Sequence, residues 1–300
     1  MHHLALLLTV TGAFAESTSP VTYAEAFRIG HQIVPLYANG HLIYLERPAK
    51  LRVFRPDTSL AYQRDIPCPP PNTACSFTSV AVTRKGIVAL GIAQPNGIQL
   101  LDPTGSPSHF FPTGAHIPQQ LTFDANGDLW TLGWERDAQN PYPILRKYSP
   151  DGKSKGEFLS TSLWPANQRP YLGGRGYWTM YAAQNRIGAL INENHSGRTP
   201  EWIEWDLDGN LLHRTQIHQP AGYGRAFNGQ GRLYAQFPIN PDSPKTELRR
   251  LDPATNTWLP VPNVQPATPS FLLGADGDHL IFRLHQPGNV QLVRSRPDTD

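Results

Sequence analysis

The apolar residues of this chain fall in short runs separated by turn residues, and the runs recur. One recurring unit is a glycine turn followed by a strand-like run. It reads GHLIYL from Gly40, GIVALG from Gly86, GDLWTL from Gly127, GRLYAQ from Gly231 and GDHLIF from Gly277, with NRIGALI from Asn185 in fourth place. Successive starts lie 46, 41, 58, 46 and 46 residues apart. A second unit is a β run ending in a Pro or Asp turn: LRVFRPDTS from Leu51, IQLLDPTGS from Ile98, LRKYSPDGK from Leu145, IEWDLDGN from Ile203, LRRLDPATN from Leu248 and QLVRSRPDT from Gln291. Its turn positions, Pro56, Pro103, Pro150, Leu207, Pro253 and Pro297, are 47, 47, 57, 46 and 44 residues apart. Two independent markers share one period, and both place their long interval in the fourth repeat.

Each repeat has room for four strands. The third is clearest: QQLTF from Gln119, a turn at Asp124–Gly127, a strand from Asp128, a loop, PILRKY from Pro143, a turn at Ser149–Gly152 and a last strand from Glu157. Asn126-Gly127 and Asp151-Gly152 are pairs that tolerate the positive φ of tight hairpin turns. Leu121 with Phe123, and Val80 with Val82, alternate as strand faces require. Four antiparallel strands every 40–50 residues mark a propeller blade. The predicted fold is all-β: a six-bladed β-propeller of four-stranded antiparallel blades over residues 16–300. Only Pro297 to Asp300 follow the third strand of the last blade. Residues 21–27 are expected to supply its outer strand, so that the N-terminal strand closes the ring and removes two open sheet edges. A pair of β-sandwiches would not produce six near-equal periods, and a seventh blade needs about 40 more residues.

Composition narrows the setting. Charged residues make up 17% of the chain, and Lys+Arg exceed Asp+Glu by a net +2. That is too little charge for a disordered chain and no electrostatic basis for binding nucleic acid. Pro 30 and Gly 25 in 300 residues fit many tight connections. Residues 1–15, MHHLALLLTVTGAFA, combine an apolar stretch with Ala13-Phe14-Ala15 and read as a cleaved secretory signal. The stretch is short of the ~20 apolar residues a spanning helix needs, so the expected product is secreted or periplasmic, without membrane insertion. Cys68 and Cys75 bracket a proline-rich loop and are expected to form a disulfide in that oxidising setting.

LTFDANGDLWTL from Leu121 and GQGRLYAQ from Gly229 give the chain a resemblance to the NHL-like six-bladed propellers and their gluconolactonase-like relatives. The resemblance spans nearly all of residues 16–300 and rests on blade geometry. It implies the propeller fold and a ligand face around the central channel. In the gluconolactonase branch it also implies a divalent cation held by Glu, Asn and Asp at the mouths of the inner strands.

Counting back from the marker glycines places the channel-mouth candidates. They are His31 and Gln32, Thr78 and Ser79, Gln119 and Gln120, Tyr177 and Trp178, Tyr223 and Gly224, then Thr268 and Ser270, with His116, Arg175 and Arg225 close by. The set is polar and aromatic and holds no carboxylate, so no metal site and no cofactor are expected; Ca²⁺ takes several charged oxygens. The stretch Asp124 to Asp128 imitates a Ca²⁺ loop, but its glycine is at the wrong position, and a hairpin turn explains it better. Trp202 and Trp205 read as packing between blades. Connections between second and third strands are expected to be short in blades 1, 2 and 6 and long in blades 3, 4 and 5, with extra residues at 164–177. The reading favoured is a monomeric, exported, non-catalytic propeller that binds a small molecule, glycan or protein at this mouth. The alternative is an extracytoplasmic hydrolase or lyase, with His116 or His31 as general base and Arg175 or Arg225 stabilising an anion. A third is a scaffold for a partner protein.

Overall fold

The computed structural model describes residues 21–23, 32–46, 49–72, 75–136, 138, 140–170, 179–192, 199–217, 224–240, 245–284 and 290–297. Residues 1–15, the expected signal, and residues 24–27 lie outside that set. The described residues form six four-stranded sheets. Blade 1 is β2 (Gln32–Ala38), β3 (His41–Glu46), β4 (Lys50–Phe54) and β5 (Leu60–Asp65). Blade 2 is β6 (Phe77–Val82), β7 (Val88–Ala93), β8 (Asn96–Leu101) and β9 (Pro107–Pro112). Blade 3 is β10 (His116–Phe123), β11 (Leu129–Glu135), β12 (Pro143–Tyr148) and β13 (Ser154–Ser160). Blade 4 is β14 (Thr179–Ala182), β15 (Arg186–Ile191), β16 (Glu201–Asp206) and β17 (Leu211–Gln216). Blade 5 is β18 (Arg225–Phe227), β19 (Leu233–Pro238), β20 (Thr246–Asp252) and β21 (Thr257–Pro260). Blade 6 is β22 (Ser270–Asp276), β23 (His279–Leu284), β24 (Val290–Ser295) and, from the other end of the chain, β1 (Val21–Tyr23). Among the described residues the only helices are single 3-10 turns at Thr161–Leu163 and Ala166–Gln168.

Every ladder is antiparallel, and the predicted closure is present: Val21, Thr22 and Tyr23 pair with Leu292, Gln291 and Val290. The first strands of the blades adjoin one another in order, and β2 meets β22 to complete the circuit. The core is six apolar seams, one between each pair of neighbouring blades. Ile43, Leu45 and Val53 of blade 1 face Val80, Val88 and Leu90 of blade 2. Trp130 and Leu132 of blade 3 face Ile187 and Trp205 of blade 4. Trp202 of blade 4 faces Phe227 and Trp258 of blade 5. Tyr37, Leu42 and Phe54 of blade 1 meet Leu273, Ile281 and Leu292 of blade 6. Each central strand is therefore buried on both faces: His41 to Leu45 are all buried, as are Leu129 to Gly133. The alternation expected of the innermost strands is present: Leu121 and Phe123 share one seam, and Val80 and Val82 share another, with Ala81 facing the opposite way. Outer strands such as β5 alternate buried and exposed residues, whereas the second strands read as nearly continuous buried runs, as sheets covered on both sides do. Trp202 and Trp205 lie on opposite faces of β16 and fill two different seams, which is the packing role expected of them.

Polar links rivet the seams. Asn39 donates to the Val82 carbonyl at 2.7 Å, joining blades 1 and 2. Lys147 donates to the Leu207 carbonyl at 2.7 Å, joining blades 3 and 4. Gln236 donates to the Ser270 carbonyl at 3.1 Å and accepts from the Leu272 N–H at 2.6 Å, joining blades 5 and 6. The densest cluster sits under blade 3. Asp124 accepts from the N–H groups of Asn126 and Asp128, at 2.9 Å each, and from the Trp130 indole at 2.9 Å. Those bonds are the expected hairpin turn. Lys147 lies 3.4 Å from Asp124, 3.0 Å from Asp128 and 5.0 Å above the Trp130 ring. Burial pushes the Asp128 pKa up, yet its bonds to Lys155 and Lys147 outweigh that and hold it below the ordinary carboxylate value.

Trp164, the first of the residues that lengthen the fourth period, is anchored. Trp164 is buried in the seam between blades 3 and 4, its indole donates to Glu201 at 2.9 Å, and the Arg214 guanidinium stacks 4.5 Å from its ring. Trp164 therefore caps the seam between blades 3 and 4.

Deleting residues 16–23 reopens blade 6 and should lower Tm by roughly 5 °C or more, with concentration-dependent aggregation visible by light scattering. Asp124→Ala strands the Trp130 indole and the N–H groups of Asn126 and Asp128, and should cost about 3 kcal/mol in urea unfolding. Lys155→Ala, on the exposed side of the cluster, should cost clearly less than Asp124→Ala. The Asp128 contribution is present above the ordinary carboxylate pKa and fades as the pH falls through its depressed folded value.

Candidate ligand face

In each blade the connection into the first strand and the loop between second and third strands emerge on one face; the tight turns at Gly40, Gly127 and Gly277 emerge on the other. The first strands begin at Gln32, Phe77, His116, Thr179, Arg225 and Ser270, so their starts ring the channel on the loop-bearing face. This is where counting back from the glycines places them. Gln32 opens β2, Thr78 is the second residue of β6, Gln119 lies in β10 and Arg225 opens β18. His31, Arg175, Tyr177, Trp178 and Tyr223 lie outside the described residues, as does the Gln32 side chain. The loops differ as expected: β7 and β8 are joined by Gln94-Pro95 alone, whereas residues 136–142, 192–200 and 239–245 separate the corresponding strands of blades 3, 4 and 5.

Thr78 and Gln119 occupy matching register shifts, between Phe77 and Ser79 in β6 and between Pro118 and Gln120 in β10. A bulge turns one extra residue out of the ladder and re-aims it. The Thr78 hydroxyl donates to the Pro118 carbonyl of blade 3. Gly91 makes room for this: a Cβ there would lie 2.6 Å from the Thr78 hydroxyl and 3.0 Å from the Pro118 oxygen. Gln119 is half-buried.

Arg225 is half-buried at the mouth of the seam between blades 4 and 5, and hydrogen-bonds the Tyr181 hydroxyl of β14. Burial lowers the Arg225 pKa while Tyr181 pulls it back up. Burial raises the Tyr181 pKa, and Arg225 opposes that. Tyr181 packs toward Trp202, with ring centroids 6.5 Å apart. Gln236, fully buried at the same end of blade 5, also bonds Thr246 at 3.2 Å. Neither Tyr181 nor Gln236 is anticipated by the repeat; each is the seam partner of a mouth residue, and a single chain gives no signal for pairing across blades.

His116 is placed differently from its sequence expectation. It is fully buried in the seam between blades 2 and 3, with Nε2 3.0 Å from the Thr131 hydroxyl and Nδ1 without a partner among the described residues. Burial, reinforced by the nearby Arg146 charge, pushes its pKa down to about 3. Arg146 is itself held by Glu135 at 2.6 Å and donates to the Thr113 carbonyl at 3.3 Å. A neutral, solvent-free imidazole packed against Gly133 does not face a ligand at the mouth, so His116 is a seam residue rather than a general base.

The same face carries a second concavity, off the channel, between blades 2 and 3. It is an open depression of ≈ 550 Å³ whose lining includes Asn72, Gln94, Pro95, Asn96, Pro112 and Arg136. One wall is the loop closed by the Cys68–Cys75 disulfide, with Cα atoms 5.7 Å apart, which is the expected bridge. Among the described residues no group of three or more His, Cys, Asp or Glu side chains could hold a metal ion. No helix among them is long and apolar enough to cross a membrane.

The fold and this face define a six-bladed β-propeller. No protein-family model matches the chain, and no curated protein matches it. Solved structures do. A putative exported protein from Bacteroides fragilis superposes with a TM-score of 0.55 at 9% identity, covering 96% of this chain and 97% of that one. A protein of unknown function from Bacteroides caccae gives 0.52 at 14% identity over 90% and 94%. A catalytically inactive virginiamycin B lyase from Staphylococcus aureus gives 0.51 at 13% identity over 93% and 99%. At these identities the likeness is one of fold.

The His116 geometry makes a prediction with a definite sign. Its folded pKa lies below the unfolded value near 6.5, so the unfolded chain takes up the proton first and stability falls as the pH drops from about 6.5 toward 3. Between pH 6.5 and 4 this group should remove on the order of 2–3 kcal/mol. His116→Gln should flatten that part of a Tm-against-pH curve relative to the unsubstituted chain; an unchanged slope would place the sensitivity elsewhere.

Proposed function

We propose that this chain is an exported, monomeric propeller that binds a small molecule, glycan or protein over its loop-bearing face, at the mouth of the central channel. The observation that carries the reading is the convergence of the first-strand starts on one face, with bulged Thr78 and Gln119 and half-buried Arg225 among them. A rigid scaffold presenting polar groups and variable loops at one end is the usual arrangement for recognition. Export is supported by the apolar segment ending in Ala13-Phe14-Ala15, by the Cys68–Cys75 disulfide and by the fold shared with a putative exported protein. The alternative, a hydrolase or lyase, must now draw its base from His31, because His116 is sealed in a seam.

The test is a thermal-shift screen of the purified protein against glycan, metabolite and peptide sets, followed by titration of any hit. A ligand that raises Tm should bind about tenfold more weakly to Arg225→Gln or to Gln119→Ala, with no product formed on prolonged incubation. Turnover abolished by His31→Ala would establish the enzymatic reading instead. Hits indifferent to both mouth substitutions would remove the mouth from consideration.

A further inference from the structure

The depression between blades 2 and 3 has a chemistry of its own. Its lining carries one guanidinium, from Arg136, three primary amides, from Asn72, Gln94 and Asn96, and the ring faces of Pro95 and Pro112. No carboxylate lines it among the described residues. Arg136 is exposed and enters none of the ion pairs among the described residues. The acid beside it in sequence, Glu135, is committed to Arg146 at 2.6 Å. A forked cation with no counter-charge among the described residues, at the rim of a concave, amide-rich surface, is suited to a carboxylate.

The walls are held in place before any ligand arrives. The disulfide closes the loop that carries Asn72, whose amide donates to the Pro69 carbonyl at 3.3 Å. The Asn96 amide donates to the Gly114 carbonyl at 3.0 Å, and the Asn96 carbonyl accepts from the Thr113 N–H at 3.2 Å. The two side-chain bonds use the amide nitrogens of Asn72 and Asn96, and among the described residues no donor takes their side-chain oxygens, which can accept from a ligand. Gln94 offers both a donor and an acceptor. A hydroxyl group needs that mixture, since it donates and accepts at once. Fixed walls also reduce the ordering cost of binding.

We infer that this depression binds an acidic sugar: the carboxylate on Arg136, hydroxyls on the amides of Asn72, Gln94 and Asn96, and the C–H face of the ring on Pro95 and Pro112. Its ≈ 550 Å³ lies inside the range typical of small-molecule sites, about 300–1,000 Å³. An amino acid would bring an ammonium group with no acid in the lining to receive it. A phosphate ester would bring two negative charges to one guanidinium. The inference does not rest on the channel-mouth reading, because it uses none of Thr78, Gln119 or Arg225.

Isothermal titration calorimetry of the whole chain with D-galacturonate, D-glucuronate and neutral D-galactose tests it. At least one uronate should bind, galactose should bind at least about tenfold more weakly, and Arg136→Gln should weaken the uronate about tenfold. Gln94→Ala should weaken both sugars. Arg225→Gln should leave uronate affinity unchanged, which separates this site from the channel mouth. Neither substitution in the depression should alter Tm. The inference is overturned if neither uronate binds, if Arg136→Gln binds it as tightly as the unsubstituted chain, or if Arg225→Gln abolishes the binding instead.

Discussion

Everything in this molecule depends on the burial of each blade's two faces against its neighbours. A four-stranded sheet with apolar residues on both sides cannot stand in water alone, and here each one finds its cover in two other copies of the same motif. The demand propagates around the circle, so the first blade must meet the last. Burying a side chain such as Trp130, Trp202 or Phe282 from water is worth a few kcal/mol, and each seam holds several of comparable size. The hydrogen-bonded ladders then satisfy the backbone, but they do not choose the shape; the apolar seams do.

Polar groups within the seams set register and spacing. Asn39, Lys147 and Gln236 each hand a hydrogen bond to a carbonyl of the adjoining blade, which fixes how far one sheet can slide over the next. Glu201 and Glu204 each take an indole N–H on one oxygen and an arginine on the other, using Trp164 with Arg214 and Trp202 with Arg186. Such pairs cost desolvation and return it only with good geometry. Their place at the ends of packed tryptophans satisfies the one polar atom that a buried indole carries.

The wheel was legible in the chain because its parts are local and repeated. A glycine turn such as Asn126-Gly127 is specified by its own residues, and the spacing of Pro56, Pro103 and Pro150 counts blades directly. The missing outer strand of blade 6 could be inferred from the short tail after Pro297, and β1 fills it. The candidate ligand face was legible only in outline. The count from the glycines found the strand starts, but a one-residue bulge or a reversal of facing decides whether a side chain meets the channel or the seam, and His116 lies in the seam. The depression beside the disulfide loop had no signal at all, because Asn72 and Arg136 come from loops, Asn96 opens β8, and the three meet only through the packing of blades 2 and 3.

The clasp between β1 and β24 has a consequence for how the protein is made. Translation delivers Val21–Tyr23 before all of blades 1 to 5 and Val290–Ser295 after them, so β1 waits for its partner while five blades are made. Until then the nascent wheel is an open arc, with one flank of blade 1 and one of the newest blade bare. That exposure ends in a single event when β1 zips onto β24.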